Sequence, residues 1–215
     1  MIRHLKELLF PRKCILCRRL LSGQETDLCT KCRTDQPEYP YGRKKTPHIA
    51  DLTAVWRYTG NVRASLHRYK FGDARCYAPA YGRMLAMRIL RDLPQADVVT
   101  WVPVSAKRLR KRGYDQVRLL AEAVSAELGI PAEPLLNKFR DNQPNSSLKT
   151  PEERRANVLG VYKALGQERL RGKRVLLLDD IITTGATASE CARVLLTAGA
   201  EEVIFAAVAA ATSNK

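Results

Sequence analysis

The chain has 215 residues, 45% of them apolar, a formal net charge of +15 and a pI near 9.8. That length and apolar content fit one main domain with a proper core and a small appendage, and no stretch is long and apolar enough to span a bilayer. The excess of basic charge points to polyanionic partners: a diphosphate-bearing substrate, nucleic acid, or both.

Met1 to Phe10 is a short amphipathic piece with charges interspersed. It lacks the apolar core and cleavage site of a signal peptide, so a cytoplasmic location is expected. Four of the six cysteines follow at Cys14, Cys17, Cys29 and Cys32, the pattern C-x2-C-x11-C-x2-C. Each C-x-x-C places two thiolates on one side of a tight turn, and two such turns complete a tetrahedral metal site. A reducing cytoplasm disfavours two disulfides. The spacing fits a zinc ribbon better than an iron–sulfur cluster. Few apolar residues surround the cysteines (Ile15, Leu16, Leu20, Leu21, Leu28). A structural zinc ion would therefore supply the segment's folding energy. Residues 33–50 read as a linker, interrupted by Pro37, Pro40, Gly42 and Pro47, with a basic spot at Arg43, Lys44 and Lys45. The chain divides into residues 1–45, ribbon and linker, and residues 46–215, the main domain.

In the main domain, Thr53 to Tyr58 alternates with aromatics and predicts a strand ending at Gly60. Val62 to Phe71 and Pro79 to Leu93 have helical spacing, and Asp97 to Val104 reads as a strand. Gly113 to Leu128 is a predicted helix, with Val117, Leu120, Ala121, Val124 and Leu128 on one face and Gly129 as its stop. A short strand is expected over residues 132–138, then a polar loop over 139–151. Pro151 to Arg155 starts a helical turn, and Leu159 to Lys163 is a predicted strand. Val175 to Leu178 is an apolar run, and a helical pattern follows it through Ala188, Cys191, Ala192, Leu195 and Ala198. Cys191 is expected as plain core packing. Glu202 to Ala211 closes the chain as a strand. Alternating strands and helices imply an α/β domain with a mostly parallel sheet.

The chemistry concentrates after Leu178. The apolar run ends in Asp179 and Asp180, then in Thr183, Thr184, Gly185, Ala186 and Thr187. A strand, a tight turn and a helix N-terminus present unpaired N–H groups to an anion, and the threonines add hydroxyl donors. This is a cradle for one phosphate group. Acids at the carboxyl end of the strand suit sugar hydroxyls, or a magnesium ion through water. A helix cap alone needs one acceptor, not this composition. A Walker loop is excluded, since no Gly-Lys-Ser/Thr follows the glycine. A second strand end, Trp101 to Ser105, is followed by Lys107-Arg108-Leu109-Arg110-Lys111-Arg112, five basic residues in six. A solvated loop is the common meaning of such a run, but a diphosphate needs cations and backbone donors on this edge. Val104, Ser105, Lys107, Arg108 and Arg112 are the candidates here. Lys138 to Asn157 is either a lid or a plain connector, with Arg154 as the candidate on it.

The segment Val175 to Thr187 resembles the phosphoribosyl diphosphate signature of type I phosphoribosyltransferases. The resemblance implies that Asp179 and Asp180 hold the ribose hydroxyls and that Thr183 to Thr187 hold the 5′-phosphate. A wider set resembles the ComF family: Tyr58-Thr59-Gly60, Leu66-His67-Arg68-Tyr69-Lys70-Phe71, Val102-Pro103-Val104, Arg112-Gly113-Tyr114-Asp115-Gln116, Ser147-Leu148 and Arg154-Arg155-Ala156-Asn157. That family joins an N-terminal zinc ribbon to a phosphoribosyltransferase domain and is linked with DNA uptake in naturally competent bacteria. Members commonly have Asn where Asp115 stands and Gln where Asn145 stands. The resemblance implies a type I phosphoribosyltransferase-like fold, with helices flanking the sheet. It also implies a phosphoribosyl diphosphate ligand with Mg²⁺, and single-stranded DNA and a competence helicase as further partners, without membrane insertion. Two activities follow: phosphoribosyl transfer to an unidentified acceptor, or a non-catalytic module that binds nucleic acid or a protein partner. Similar purine-salvage enzymes carry an Asp as base where Thr183 stands, which disfavours purine salvage.

Overall fold

The computed structural model describes residues 11–42, 45–143 and 150–211. The amphipathic start Met1–Phe10, the basic Arg43 and Lys44, and Asn145, Ser147 and Leu148 lie outside the described residues. The main sheet has four parallel strands in the order β1-β6-β5-β2: β1 (Leu52–Arg57), β6 (Glu202–Ala210), β5 (Arg174–Ile182) and β2 (Val98–Trp101). Val175–Leu178 of β5 and Val203–Ala210 of β6 are continuous apolar runs because both of their faces are covered, the usual state of a parallel sheet.

One face carries α2 (Gly60–Phe71), α3 (Ala78–Asp92) and α5 (Gln116–Leu128). Leu66, Tyr69, Tyr81, Leu85, Leu120 and Val124 pack there against Leu176, Leu178, Ile204 and Val208. The opposite face carries α8 (Ala186–Thr197), whose Ala188, Cys191, Ala192 and Leu195 pack against Val175, Leu177, Val203 and Phe205. Cys191 is fully buried there, as a core residue should be.

Several expectations are corrected. The strands expected over 132–138 and Leu159–Lys163 do not extend the parallel sheet. They form a separate antiparallel pair, β3 (Leu136–Lys138) with β4 (Tyr162–Ala164), which stands over α8 as a hood. The segment before β3 borders β2 without adding a strand to it: Ala132 bridges Val99, and Thr100 Oγ1 donates to Glu133 O and accepts from the Leu135 N–H. The basic run is a helix, α4 (Ala106–Arg112), not a loop. Ser105 caps it by accepting a hydrogen bond from the Arg108 N–H, and Gly113 ends it at φ 79°, in the region that glycine enters without strain. The next helix consequently starts at Gln116 rather than Gly113, with Asp115 accepting from the Val117 and Arg118 N–H groups. Two further short helices, α1 (Thr30–Asp35) and α7 (Gln167–Leu170), have too little apolar periodicity to be seen in sequence; α6 (Pro151–Ala156) is the expected helical turn, with a Thr150–Glu153 capping box.

The residues read as a linker are ordered onto the sheet edge. Tyr39 N–H donates to Val55 O, and Arg57 N–H donates to Pro37 O. Buried Arg88 donates to Tyr39 O, and it pairs with Asp92. The cysteine segment packs on the same core as α2 and α3 through Ile15, Leu16 and Leu28. Arg68 and Ser65 of α2 donate to its Ile15 and Leu16 carbonyls. Among the described residues, no helix is long and apolar enough to cross a membrane.

Candidate functional site

Parallel strands leave a crevice at their carboxyl ends, and the expected phosphate loop sits there. β5 runs through both aspartates to Ile182, and residues 183–185 turn into α8. Gly185 stands at φ 87° as the residue before the helix, which lets the backbone reverse and point the first N–H groups of α8 outward. Thr184 Oγ1 accepts from the Ala186 N–H at 3.4 Å, bracing the turn. Thr183, Thr184, Gly185, Ala186 and Thr187 all line one cleft of about 900 Å³.

The acid pair does not face solvent as a pair, which corrects the picture of two carboxylates at an open strand end. Side chains alternate along a strand, so the two acids point to opposite faces. Asp179 is partly exposed and borders the cleft from the α8 side. Burial, then the neighbouring Asp180 charge, pushes its carboxyl well above the usual carboxylate range. Asp180 is only 3% exposed. Its Oδ1 pairs with Lys70 Nζ at 2.8 Å, and its Oδ2 accepts from Gln116 Nε2 at 2.8 Å. Gln116 in turn accepts from Arg112 through Oε1.

The basic run is sorted by its helix. Arg108, Lys111 and Arg112, at i, i+3 and i+4, line the cleft, together with Val104. Ser105 and Lys107 do not line it: Ser105 is the buried cap of α4 and Lys107 is exposed on the outer side. Arg112 is half-buried, and burial holds its guanidinium below the ordinary arginine value. Its cationic plane lies 5.0 Å from the centre of the Phe71 ring. Across the cleft, the hood contributes Lys138 and Tyr162, the loop beyond contributes Asn142 and Gln143, and α6 contributes Arg154. Lys138 Nζ sits 5.5 Å from the Tyr162 ring centre. Burial, then the Arg108 charge, brings its ammonium down to about 8.

Lys70, Gln116 and Lys138 also line the cleft, although the sequence assigns them no role. Lys70 and Gln116 occur within motifs, but nothing local says that Gln116 meets a residue 64 positions away. Lys138 looked like the start of a flexible loop. Asp115, which replaces a common Asn, is explained locally: either side chain can accept the two N–H bonds that start α5.

The four sulfur atoms of Cys14, Cys17, Cys29 and Cys32 lie within 4.8 Å of one another. Thiolates about 2.3 Å from a common centre stand about 3.8 Å apart at tetrahedral angles, so this donor set fits a zinc ion. Burial works to raise the Cys14 thiol, but the backbone N–H groups of Cys17, Cys29 and Leu16 prevail and bring it down to about 7. Asn61, at the start of α2, borders the same cluster.

Residues 118–215 match the family model for the phosphoribosyl transferase domain. The chain is 30% identical to "Competence protein ComFC" of Streptococcus pneumoniae over 179 residues, covering 83% of this chain and 74% of that one. It is 28% identical to "DNA utilization protein YhgH" of Salmonella typhi over 200 residues, covering 88% and 86%. Among solved structures, glutamine phosphoribosylpyrophosphate amidotransferase from B. subtilis, in complex with ADP and GMP, shares 26% identity with a TM-score of 0.44. The match covers 65% of this chain and 30% of that enzyme.

Proposed function

Because the chain belongs to the ComF family, we propose that its cleft binds phosphoribosyl diphosphate with Mg²⁺ in the cytoplasm, in the service of DNA uptake. One observation carries this reading: a helix N-terminus, an acid pair, three arginines and three lysines from separate parts of the chain line a single cleft. The Thr183–Thr187 loop takes the 5′-phosphate, and the Asp179–Asp180 strand end takes the ribose, with Asp179 as the carboxylate that borders the open cleft. Arg108, Arg112, Lys111 and Lys138 balance the diphosphate, and Arg154 approaches from α6. Mg²⁺, when bound, neutralises diphosphate and ribose oxygens. The chain's own residues bind, orient and supply fixed charge where diphosphate departs. Zinc held by Cys14, Cys17, Cys29 and Cys32 fixes residues 11–42 on α2. Calorimetric titration of the full chain with phosphoribosyl diphosphate and Mg²⁺ tests the reading. We expect saturable binding that Asp179→Asn weakens at least about tenfold, the size of one lost charge-assisted contact. No binding by the intact chain would overturn the reading. Pyrophosphate release with and without candidate acceptors tests whether transfer follows.

A second reading, a module that handles single-stranded DNA with a competence helicase as partner, draws on the other side of α4. Lys107 and Arg110 are exposed and outside the cleft lining, and the chain's net charge is +15. Phosphate contacts made there would be lost steeply with salt. Lys107→Glu with Arg110→Glu should flatten that salt dependence while leaving the cleft ligand bound. No shift of labelled single strands at low salt would leave the small-molecule reading alone.

A further inference from the structure

Two adjacent carboxylates at a strand end are a natural cation site, because hard divalent ions collect oxygen ligands. Here the second carboxylate is already occupied. Asp180 has one oxygen on Lys70 and the other on Gln116, each at 2.8 Å, and its side chain is 4% exposed. A carboxylate this buried needs both partners to remain charged. Neither partner reaches it by accident. The Tyr69 hydroxyl, next to Lys70, donates to Gln116 O at 2.6 Å, and the Tyr114 hydroxyl donates back to Tyr69 O. These reciprocal bonds pin the end of α2 to the start of α5 and aim Lys70 and Gln116 at the same side chain. Arg112 donates to Gln116 Oε1, so the amide must turn its Nε2 toward Asp180. Tyr69 is fully buried, which keeps the arrangement rigid.

Resting on the phosphoribosyl reading above, we propose that Lys70 is a positioning residue, a built-in cation that holds Asp180 out of metal and ligand contact and leaves Asp179 as the carboxylate offered to the ribose and its Mg²⁺. The acid pair then divides its work. Asp179 touches the ligand, while Asp180 ties the ribose edge through Gln116 to Arg112 on the diphosphate side.

The probe is Mn²⁺ alone, counted as free ion by electron paramagnetic resonance against the full chain, with no phosphoribosyl ligand present. Lys70→Met should gain Mn²⁺ affinity by about tenfold, since it adds a free carboxylate to the cluster. Lys70→Met combined with Asp180→Asn should return to the wild-type value. Lys70 also lies within electrostatic reach of Asp179, so the gain counts for the proposal only where it is lost in the double variant. Equal Mn²⁺ affinity of wild type and folded Lys70→Met, or a gain that survives in the double variant, would overturn the proposal. If Lys70→Met does not fold, single variants decide it. Asp179→Asn should lose the Mn²⁺ binding of the wild type and Asp180→Asn should keep it; equal losses would overturn the proposal. None of these readouts needs phosphoribosyl diphosphate to bind, so failure of the ligand reading remains separate.

Discussion

The two faces of the sheet treat neighbouring carboxylates in opposite ways. On the face of α2, α3 and α5, Asp180 is sealed by a lysine and a glutamine that tyrosine hydroxyls lock in place. On the face of α8 and the hood, Asp179 borders the open cleft with Lys138 and Arg108 near it. The first face holds its charge by satisfying every partner in advance. The second leaves charge incompletely compensated, and both Asp179 and Lys138 are shifted toward their neutral forms. Adjacent positions on one strand can therefore serve rigidity and binding at once, because pleating separates them.

The sealed face packs against the four-cysteine cluster, which fits a zinc ion, and breaking that cluster should produce the largest effect. Residues 11–42 add few apolar side chains to the core, and Arg68 and Ser65 donate to carbonyls that the cysteine turns present. Structural zinc sites in small peptides contribute about 10–16 kcal/mol of binding free energy. Cys32→Ala should drop zinc from about one equivalent, as a single four-ligand site requires, to a trace. Limited proteolysis should then cut within residues 11–42 while the sheet stays protected. Full zinc retention would show that the sealed face does not rest on this cluster.

A smaller break lies inside the seal. Gln116→Leu keeps the volume near Asp180 but removes its Oδ2 donor and the acceptor of Arg112. Leaving a buried acceptor unpaired costs about 1–3 kcal/mol, which thermal unfolding should detect as a lowered Tm. An unchanged Tm would mean that water replaces the amide. The contrast then loses its basis, since the sealed acid would be as open as its neighbour.

How much of this was legible in sequence follows the distance over which each feature is encoded. β5, the phosphate loop and α8 are local: an apolar run, two acids, a hydroxyl-rich turn and a helical stripe within about one βα unit. The cysteine cluster is local in the same sense. The two hood strands were legible as strands, but not their antiparallel pairing, because a three-residue strand carries no partner information. The helix in the basic run was not foreseen because charge masks periodicity; it shows only through Ser105 and Gly113 at the two ends. The burial of Asp180 was missed because its partners come from two other helical elements, and no local pattern encodes Lys70 and Gln116 meeting there.

The smallest expected effect tests the open face through pH. Lys138 is partly buried, and its ammonium lies at about 8 rather than near its ordinary value of 10.5. A lysine depressed in the folded state binds fewer protons there than when unfolded, so stability rises with pH between those two values. Ligand binding runs the other way. Below pH 8 Lys138 carries the charge that attracts a diphosphate, and above it that charge is lost. Phosphate groups with second ionisations near 6 are already fully charged across this window. From pH 7 to 9 the protonated fraction of a group at about 8 falls about tenfold, which sets the largest loss of affinity that Lys138 can cause. Calorimetric titration of phosphoribosyl diphosphate across that range should show the wild type weakening by several-fold, within about that tenfold limit. Lys138→Met should start weaker at pH 7 and stay nearly level. Arg108, the other cation at this spot, stays charged throughout the range, so it cannot mimic the effect. Parallel pH profiles for wild type and Lys138→Met would remove Lys138 from the ligand and leave the open face to Asp179, Arg108 and Arg112.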